Sequence, residues 1–257
     1  MQFGISPFGV WRNKSADPIR GSDTRAGVTC YDDLYADVIK WLSSGWIDYV
    51  APQIYWHIGF PIADYEVIAK WWNEHTFGRN LYIGHAAYKV NTDKQEAWKN
   101  PSELADQVAM NRSLHNIKGS IYFSTKSLRN NELNMRAYLT QTFNTPALIP
   151  TAPLEEIATQ KGPKLKRVKK KDKGLRLKWK AKGNTPYYYV IYRFFGNEVG
   201  DMNNPRSIWK ITPFYPSKKM TIYDDAYRKG QPYTYVVTAV DRGHIEGIGN
   251  SRTIIVK

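Results

Sequence analysis

Trp46-Ile47-Asp48-Tyr49-Val50-Ala51-Pro52-Gln53-Ile54-Tyr55-Trp56 reads as a buried strand that ends in a crowd of polar and aromatic side chains. Its apolar run, Ile47 to Ala51, lies between Gly45 and Gly59 and is rich in β-branched and aromatic residues, the pattern of a parallel strand covered on both faces. Pro52 has no N–H for a ladder, so regular pairing breaks or bulges there. Gln53, Tyr55 and Trp56 then project from the carboxyl end of the strand, the end at which α/β sheets and barrels bind ligands.

Working outward, the first 150 residues repeat this unit four times. Phe3 to Ser6 is a short strand, followed after a long polar loop by a helix from Asp32 or Asp33 to Ser44, with Leu34, Val38 and Leu42 on one face and Gly45 as its stop. After the Trp46 strand, Asp64 caps a helix in which Val67, Ile68, Trp71 and Trp72 recur at spacings of three and four. Leu81 to Tyr88 is the third strand. Its helix opens at Asn100, with Pro101 in the first turn and Glu103 three residues past the cap. Gly119 to Ser124 is the fourth strand, and a helix with Met135, Leu139 and Phe143 at spacings of four closes the series. Strand–helix alternation of this kind predicts an α/β fold with a parallel sheet and right-handed crossovers.

Charge divides the chain. Of 257 residues, 1–160 carry 15 Lys and Arg against 16 Asp and Glu, whereas 161–257 carry 22 against 7. The whole positive surplus therefore belongs to the C-terminal part. With the proline-rich stretch Pro146 to Pro153, this step predicts a boundary near 150 and a linker over 151–162. No run of 18 apolar residues is present, nor a signal peptide at Met1, which reads as an internal start or a fragment boundary. Cys30 is the single cysteine, so no internal disulfide and no Cys-rich metal site is expected.

Beyond residue 163 the period changes. Leu175-Arg176-Leu177-Lys178-Trp179-Lys180 alternates strictly between apolar and basic, as a half-buried antiparallel strand does. Comparable strands are predicted at Tyr188 to Phe194, Ser207 to Ile211, Met220 to Tyr223, Tyr233 to Val240 and Arg252 to Val256, which makes an all-β sandwich.

Four strings carry a resemblance: Phe8-Gly9-Val10-Trp11-Arg12-Asn13-Lys14-Ser15, Tyr31-Asp32-Asp33-Leu34-Tyr35-Ala36-Asp37, Gly45 to Tyr49 with Pro52 to Trp56, and Tyr82-Ile83-Gly84-His85-Ala86-Ala87-Tyr88. Together they resemble the bacterial glycosyl-hydrolase-like lipoprotein family, which has a (β/α)8 TIM-type barrel and often a C-terminal β-sandwich. The resemblance covers about residues 2 to 150 and implies half of such a barrel, its strands five to eight, in a protein of the cell envelope or secreted. Residues 163–257 are similar to an immunoglobulin-like fibronectin type III domain, with Trp179 as the core tryptophan and Tyr233 at the tyrosine-corner position.

A glycan site needs aromatic plates for sugar ring faces, interleaved with amides and charged groups for hydroxyls. The predicted strand ends supply Trp11 and Arg12, then Gln53, Tyr55 and Trp56, then His85 and Tyr88, and finally Ser124. The competing reading has Tyr55 and Tyr88 plugging the interior of the sheet. Trp71 and Trp72, on a helix face, read as packing. Glycoside hydrolysis asks for a pair of carboxylates, and no strand end here holds Asp or Glu. Asp32 and Asp33 read as helix caps, and Asp17 and Asp23 as solvated loop residues that could reach a cleft. The resemblance therefore assigns the catalytic acids to the half of the barrel not seen here. His85 is the weak catalytic candidate, a proton shuttle or hydroxyl donor, against the alternative of a buried, satisfied histidine.

No cofactor motif is present, and His57, His75, His115 and His244 make no metal-ligand spacing. The basic run Lys161 to Lys173 invites a nucleic-acid reading, which the plainer one of a solvated strand and turn outweighs; anionic envelope polymers or lipid headgroups suit it better as partners. The function expected is a glycoside hydrolase acting on a polysaccharide or peptidoglycan-type glycan, inactive as this fragment alone. The alternative is a non-catalytic glycan-binding protein. The open sheet edges call for the other barrel half or a second copy.

Overall fold

The computed structural model describes residues 2–151, 161–183, 185–215 and 219–255. The chain divides into two compact units, Met1–Asn144 and Thr145–Lys257. That division falls earlier than the proline-rich stretch suggests, because Leu148 packs against the second unit's cluster of Val190, Tyr192 and Val236. Most of the expected linker, 152–160, lies outside the described residues, as do Met1 and Val256.

The first unit runs β1 (Gly4–Ile5), α1 (Val38–Ser43), β2 (Tyr49–Val50), α2 (Tyr65–Glu74), β3 (Asn80–His85), α3 (Glu103–Asn111), β4 (Ile117–Tyr122), α4 (Thr125–Asn130) and α5 (Met135–Thr142). Its four strands form one parallel sheet in the order β1-β2-β3-β4, with Gly4 opposite Tyr49, Val50 opposite Leu81 and Ile83 opposite Ser120. β2 is shorter than its sequence suggests. Pro52 interrupts the ladder, although its carbonyl still accepts from Gly84 N–H (2.9 Å) and Gln53 N–H donates to Pro7 O (2.9 Å). Trp46, at the other end, is 62% exposed.

Strand alternation gives the sheet two unlike faces. Val50, Leu81 and Ile83 share one core with Val38 and Leu42 of α1 and Ile68 and Trp72 of α2. Burial of each such side chain contributes about 1.5–3 kcal/mol. Tyr49 and Tyr82 stand on the opposite face with ring centroids 5.7 Å apart, and Gly119 and Ile121 follow them across β4. Gly4 is required there, since a Cβ would lie 2.5 Å from the Tyr49 ring.

The start of α1 differs from expectation, and that of α3 in part. α1 begins at Val38, with Asp37 accepting from Lys40 N–H, because Tyr35 adopts a left-handed φ of 53° and breaks the path from Asp33. Asp33 instead accepts from the Thr29 N–H and hydroxyl, Asp32 pairs with Arg12, and Leu34 is exposed. The regular turns of α3 begin at Glu103, but the Asn100 side chain accepts from Ser102 N–H, two residues on, as a cap does; the Glu103 carboxylate turns inward instead of closing a capping box. In α5, Met135 and Leu139 are buried as their spacing predicts, while Phe143 is exposed beneath the Arg112 guanidinium.

The second unit contains β5 (Lys164–Leu165), β6 (Lys169–Lys171), β7 (Gly174–Lys180), β8 (Tyr188–Phe195), β9 (Ile208–Pro213), β10 (Met220–Asp224), β11 (Pro232–Val240), β12 (Glu246–Gly247) and β13 (Ser251–Ile255). β10, β7, β5 and β6 make one antiparallel sheet; β12, β11, β8, β9 and β13 make the other. Leu165, Leu175, Leu177 and Trp179 of the first meet Tyr189, Ile191, Tyr235 and Val237 of the second in a single core, so the expected two-sheet architecture is present. The Tyr233 hydroxyl accepts from Arg228 N–H (2.8 Å), five residues upstream, which fastens the corner before β11.

Candidate functional site

The carboxyl ends of β2, β3 and β4 come together through main-chain bonds. Phe123 N–H donates to His85 O (2.9 Å) and Tyr88 N–H donates to Phe123 O (3.1 Å), so the turn after β3 is laced to the end of β4. Isolated parallel bridges join Gln53 to Phe8 on one side and to Gly84 on the other. These bonds gather three rings. Tyr55 and Tyr88 meet edge to face at 5.9 Å, Tyr88 and Phe123 likewise at 5.9 Å, and Tyr55 and Phe123 lie 6.3 Å apart. Tyr88 is 41% exposed and Phe123 59%. Partial burial raises the phenol pKa of both tyrosines, so each hydroxyl stays protonated and able to donate near neutral pH. Exposed rings with hydroxyl donors are the materials of a carbohydrate surface.

A buried polar chain links the end of β3 to α3. His85 Nδ1 is 2.8 Å from Gln107 Oε1, and Nε2 is 3.0 Å from Ser120 Oγ. Gln107 Nε2 donates to Glu103 Oε1 (2.9 Å) and Trp56 O (3.3 Å), and Glu103 Oε1 also accepts from Ile58 N–H (2.9 Å). With the amide nitrogen so engaged, its oxygen faces the imidazole, and Nδ1 must be the donor. The ring stacks between Tyr65 (5.8 Å) and Tyr122 (5.1 Å) and is wholly buried; desolvation lowers its pKa to about 4 despite the opposing Gln107 bond. His85 is therefore neutral and accepts from Ser120 at Nε2.

Two of the expected site residues are consequently corrected. His85 lies on the helix side of the sheet, wholly buried, with both ring nitrogens occupied by Gln107 and Ser120, so it is a buried, satisfied histidine. Trp11 is 1% exposed, stacked on Trp71 at 6.0 Å with Arg20 over its face at 5.2 Å. It is a core residue. The long loop after β1 folds back on itself and carries the ring inward.

The others divide. Arg12 lays its fork on Asp32 (Nε to Oδ2 3.0 Å, Nη2 to Oδ1 2.8 Å), reaches Asp17 at 3.5 Å and sits 4.6 Å above Tyr31, a set that raises its pKa chiefly through the Asp32 bond. Gln53 Nε2 donates to Ser6 O, joining the ends of β1 and β2. Trp56 is half-buried against the helix-side core, and Ser124 is the half-buried cap residue of α4. Tyr55 and Tyr88 are the two expected residues that the ring cluster unites.

Asp17 is buried, not solvated as the loop composition suggests. It accepts from the N–H groups of Arg20 and Ile19 and from the Arg20 side chain, and these bonds, the Arg20 N–H first, hold its pKa below the usual range. Phe123, Glu103 and Gln107 escape a reading of strand ends. Phe123 immediately precedes the residue proposed, and its alternation with Ile121 marks the same face. Glu103 and Gln107, four apart on α3, share an inward face that a capping-box interpretation of Glu103 conceals. Among the described residues, no three His, Cys, Asp or Glu side chains converge as metal ligands, and no helix is long and apolar enough to cross a membrane.

Residues 1–100 match the family model described as glycosyl hydrolase-like 10. Glycosyl hydrolase YngK of Bacillus subtilis (strain 168) is 41% identical over 261 residues, which covers 98% of this chain and 50% of that protein. Glycosyl hydrolase DigH of Escherichia coli (strain K12) is 44% identical over 130 residues, 48% of this chain and 29% of that protein. The chain thus spans half the length of the first relative and less than a third of the second. A solved fibronectin type III-like protein from Clostridium thermocellum aligns with 39% of this chain and 96% of its own at 18% identity and a TM-score of 0.26, too slight a likeness to argue from. Residues 1–100 of this chain are thus similar to the glycosyl hydrolase-like 10 family, as the motifs between Phe8 and Tyr88 imply.

Proposed function

We propose that the first unit is one half of a (β/α)8 barrel in a glycoside hydrolase of the bacterial envelope or exterior, and that its strand ends hold a polysaccharide or peptidoglycan-type glycan. The observation that carries this reading is the Tyr55–Tyr88–Phe123 cluster, three rings within 6.3 Å of one another at the ends of three adjacent parallel strands. In α/β barrels that end of the strands is where substrates bind. The barrel itself is supported by the uncovered face. Parallel strands are ordinarily buried on both faces, yet Ile121 is 48% exposed on the side away from the helices, beside half-buried Tyr49 and Tyr82, and β1 and β4 are unpaired edges. A further set of strands would cover the face and both edges. The second unit then serves as an accessory domain of fibronectin type III type, a reading that the Tyr233 corner supports.

A second reading, a non-catalytic glycan-binding protein, draws on one observation: no Asp or Glu directly follows β1 to β4, and the buried carboxylate of Glu103 spends one oxygen on Ile58 and Gln107. Binding and hydrolysis of soluble wall glycan strands by the full-length protein separate the two. Tyr88→Ala and Phe123→Ala should each weaken glycan binding about two- to tenfold, in keeping with the ~0.5–1.5 kcal/mol that aromatic contacts contribute, with the thermal midpoint unchanged. Wild-type affinity in both variants would remove the ring cluster from the site, and turnover of the glycan would remove the non-catalytic reading.

A further inference from the structure

The second unit confines much of its basic surplus to one surface. In the sheet of β5, β6, β7 and β10, Leu165, Leu175, Leu177, Trp179 and Met220 point into the core. The alternate positions therefore point out, and Lys169 stands opposite Arg176, Lys164 opposite Lys180, and Lys171 and Lys178 complete the array. Tyr223, opposite Arg176, and Thr221, opposite Lys178, are the outward residues of β10. No outward position of these strands holds a carboxylate, and none of the six cations makes an ion pair among the described residues. Asp172 lies in the β6–β7 turn, at the margin. Along β7, Arg176, Lys178 and Lys180 recur every second residue, about 6.5–7 Å apart, and neighbouring strands lie about 4.8 Å to either side.

Six cations on one face of a sheet, none in an ion pair among the described residues, repel one another, a cost that a bound polyanion would offset. We propose that this face binds an acidic polysaccharide lying across the strands. Its composition favours that polymer over other polyanions. Five of the six cations are lysines, compact point charges suited to separate acidic groups, whereas bidentate phosphate recognition in nucleic acids favours arginine. Tyr223 is the single ring pointing outward from these strands among the described residues, so successive bases have no series of plates on which to stack. No Leu, Ile, Phe or Trp points outward from these strands to enter a bilayer. The inference does not depend on the glycan site of the first unit, because the surface belongs entirely to the second.

The test uses the whole chain and its triple variant Arg176→Gln, Lys178→Gln, Lys180→Gln, beside a control triple, Lys210→Gln, Arg242→Gln, Arg252→Gln, that removes the same charge elsewhere in the second unit. Circular dichroism would establish that both fold. Binding to polygalacturonate, neutral dextran, a 20-base-pair DNA duplex and phosphatidylglycerol vesicles is measured from low to high salt. Expected are salt-sensitive binding to polygalacturonate, none to dextran, a loss of tenfold or more in the β7 triple, and less than twofold change in the control. Equal losses in the two triples would reduce the effect to net charge and overturn the proposal. So would failure to bind polygalacturonate, or tighter β7-dependent binding to duplex or vesicle.

Discussion

His85 Nδ1 lies 2.8 Å from Gln107 Oε1, so the carboxyl end of β3 is hydrogen-bonded to the helix that follows it, on the covered side of the sheet. The bond fixes the tautomer, and the low pKa makes the ring a constraint on stability in acid. Folded, it refuses a proton until about pH 4; unfolded, it accepts one near 6.5. The unfolded state therefore binds more protons between these values. Stability is complete above pH 6.5, falls as pH drops through the window and levels off below 4, a loss of about 3 kcal/mol. His85→Gln removes this contribution. Urea unfolding of wild type and variant at pH 7.5 and pH 4 should show the wild type losing about 3 kcal/mol more; parallel losses would place the ring in contact with water.

Cys30 is buried, with Sγ 3.3 Å from Phe8 O, and desolvation pushes its pKa to about 11. Reactivity follows the thiolate and its access. At pH 8 an aromatic disulfide reagent should modify the native chain at least a hundredfold more slowly than the urea-unfolded chain. A fast native reaction would contradict the packing of the loop after β1.

Trp11→Ala distinguishes a core plate from a sugar plate. Removal of a fully buried tryptophan costs about 3–5 kcal/mol, so the variant's first unit should unfold at markedly lower urea. Unchanged stability with weakened glycan binding would restore Trp11 to the site.

Tyr233→Phe keeps the ring and deletes the acceptor of Arg228 N–H. The second unit should lose about 1–2 kcal/mol, the cost of an unmade hydrogen bond. A loss within 0.3 kcal/mol, on the order of measurement error, would mean the bond is replaced by water.

The order of strands and helices was legible because two periods dominate it. Spacings of three and four in Ile68, Trp71 and Trp72, and of two in Leu175, Leu177 and Trp179, are imposed by backbone geometry and survive in any fold that buries them. Helix starts were less legible. Asp33 has the chemistry of a cap, but a carboxylate takes whichever N–H the chain brings to it, and here Thr29 came closer, while Asp37 caps the helix.

Side-chain direction at the strand ends is where reading along the chain stops. Composition placed aromatic or polar groups after each strand, yet a residue's side of a parallel sheet depends on register, and register depends on neighbours far away in sequence. Ile83 opposite Ser120 and His85 opposite Tyr122 turn the imidazole toward α3. The positions opposite Gly119 and Ile121 belong to the other face. Periodicity and charge could thus name the units, their strands and the basic character of the second. Which rings cluster at the strand ends, and that His85 and Trp11 are buried instead, was decided by long-range packing, since burial is a property of contacts between segments and no single segment contains it.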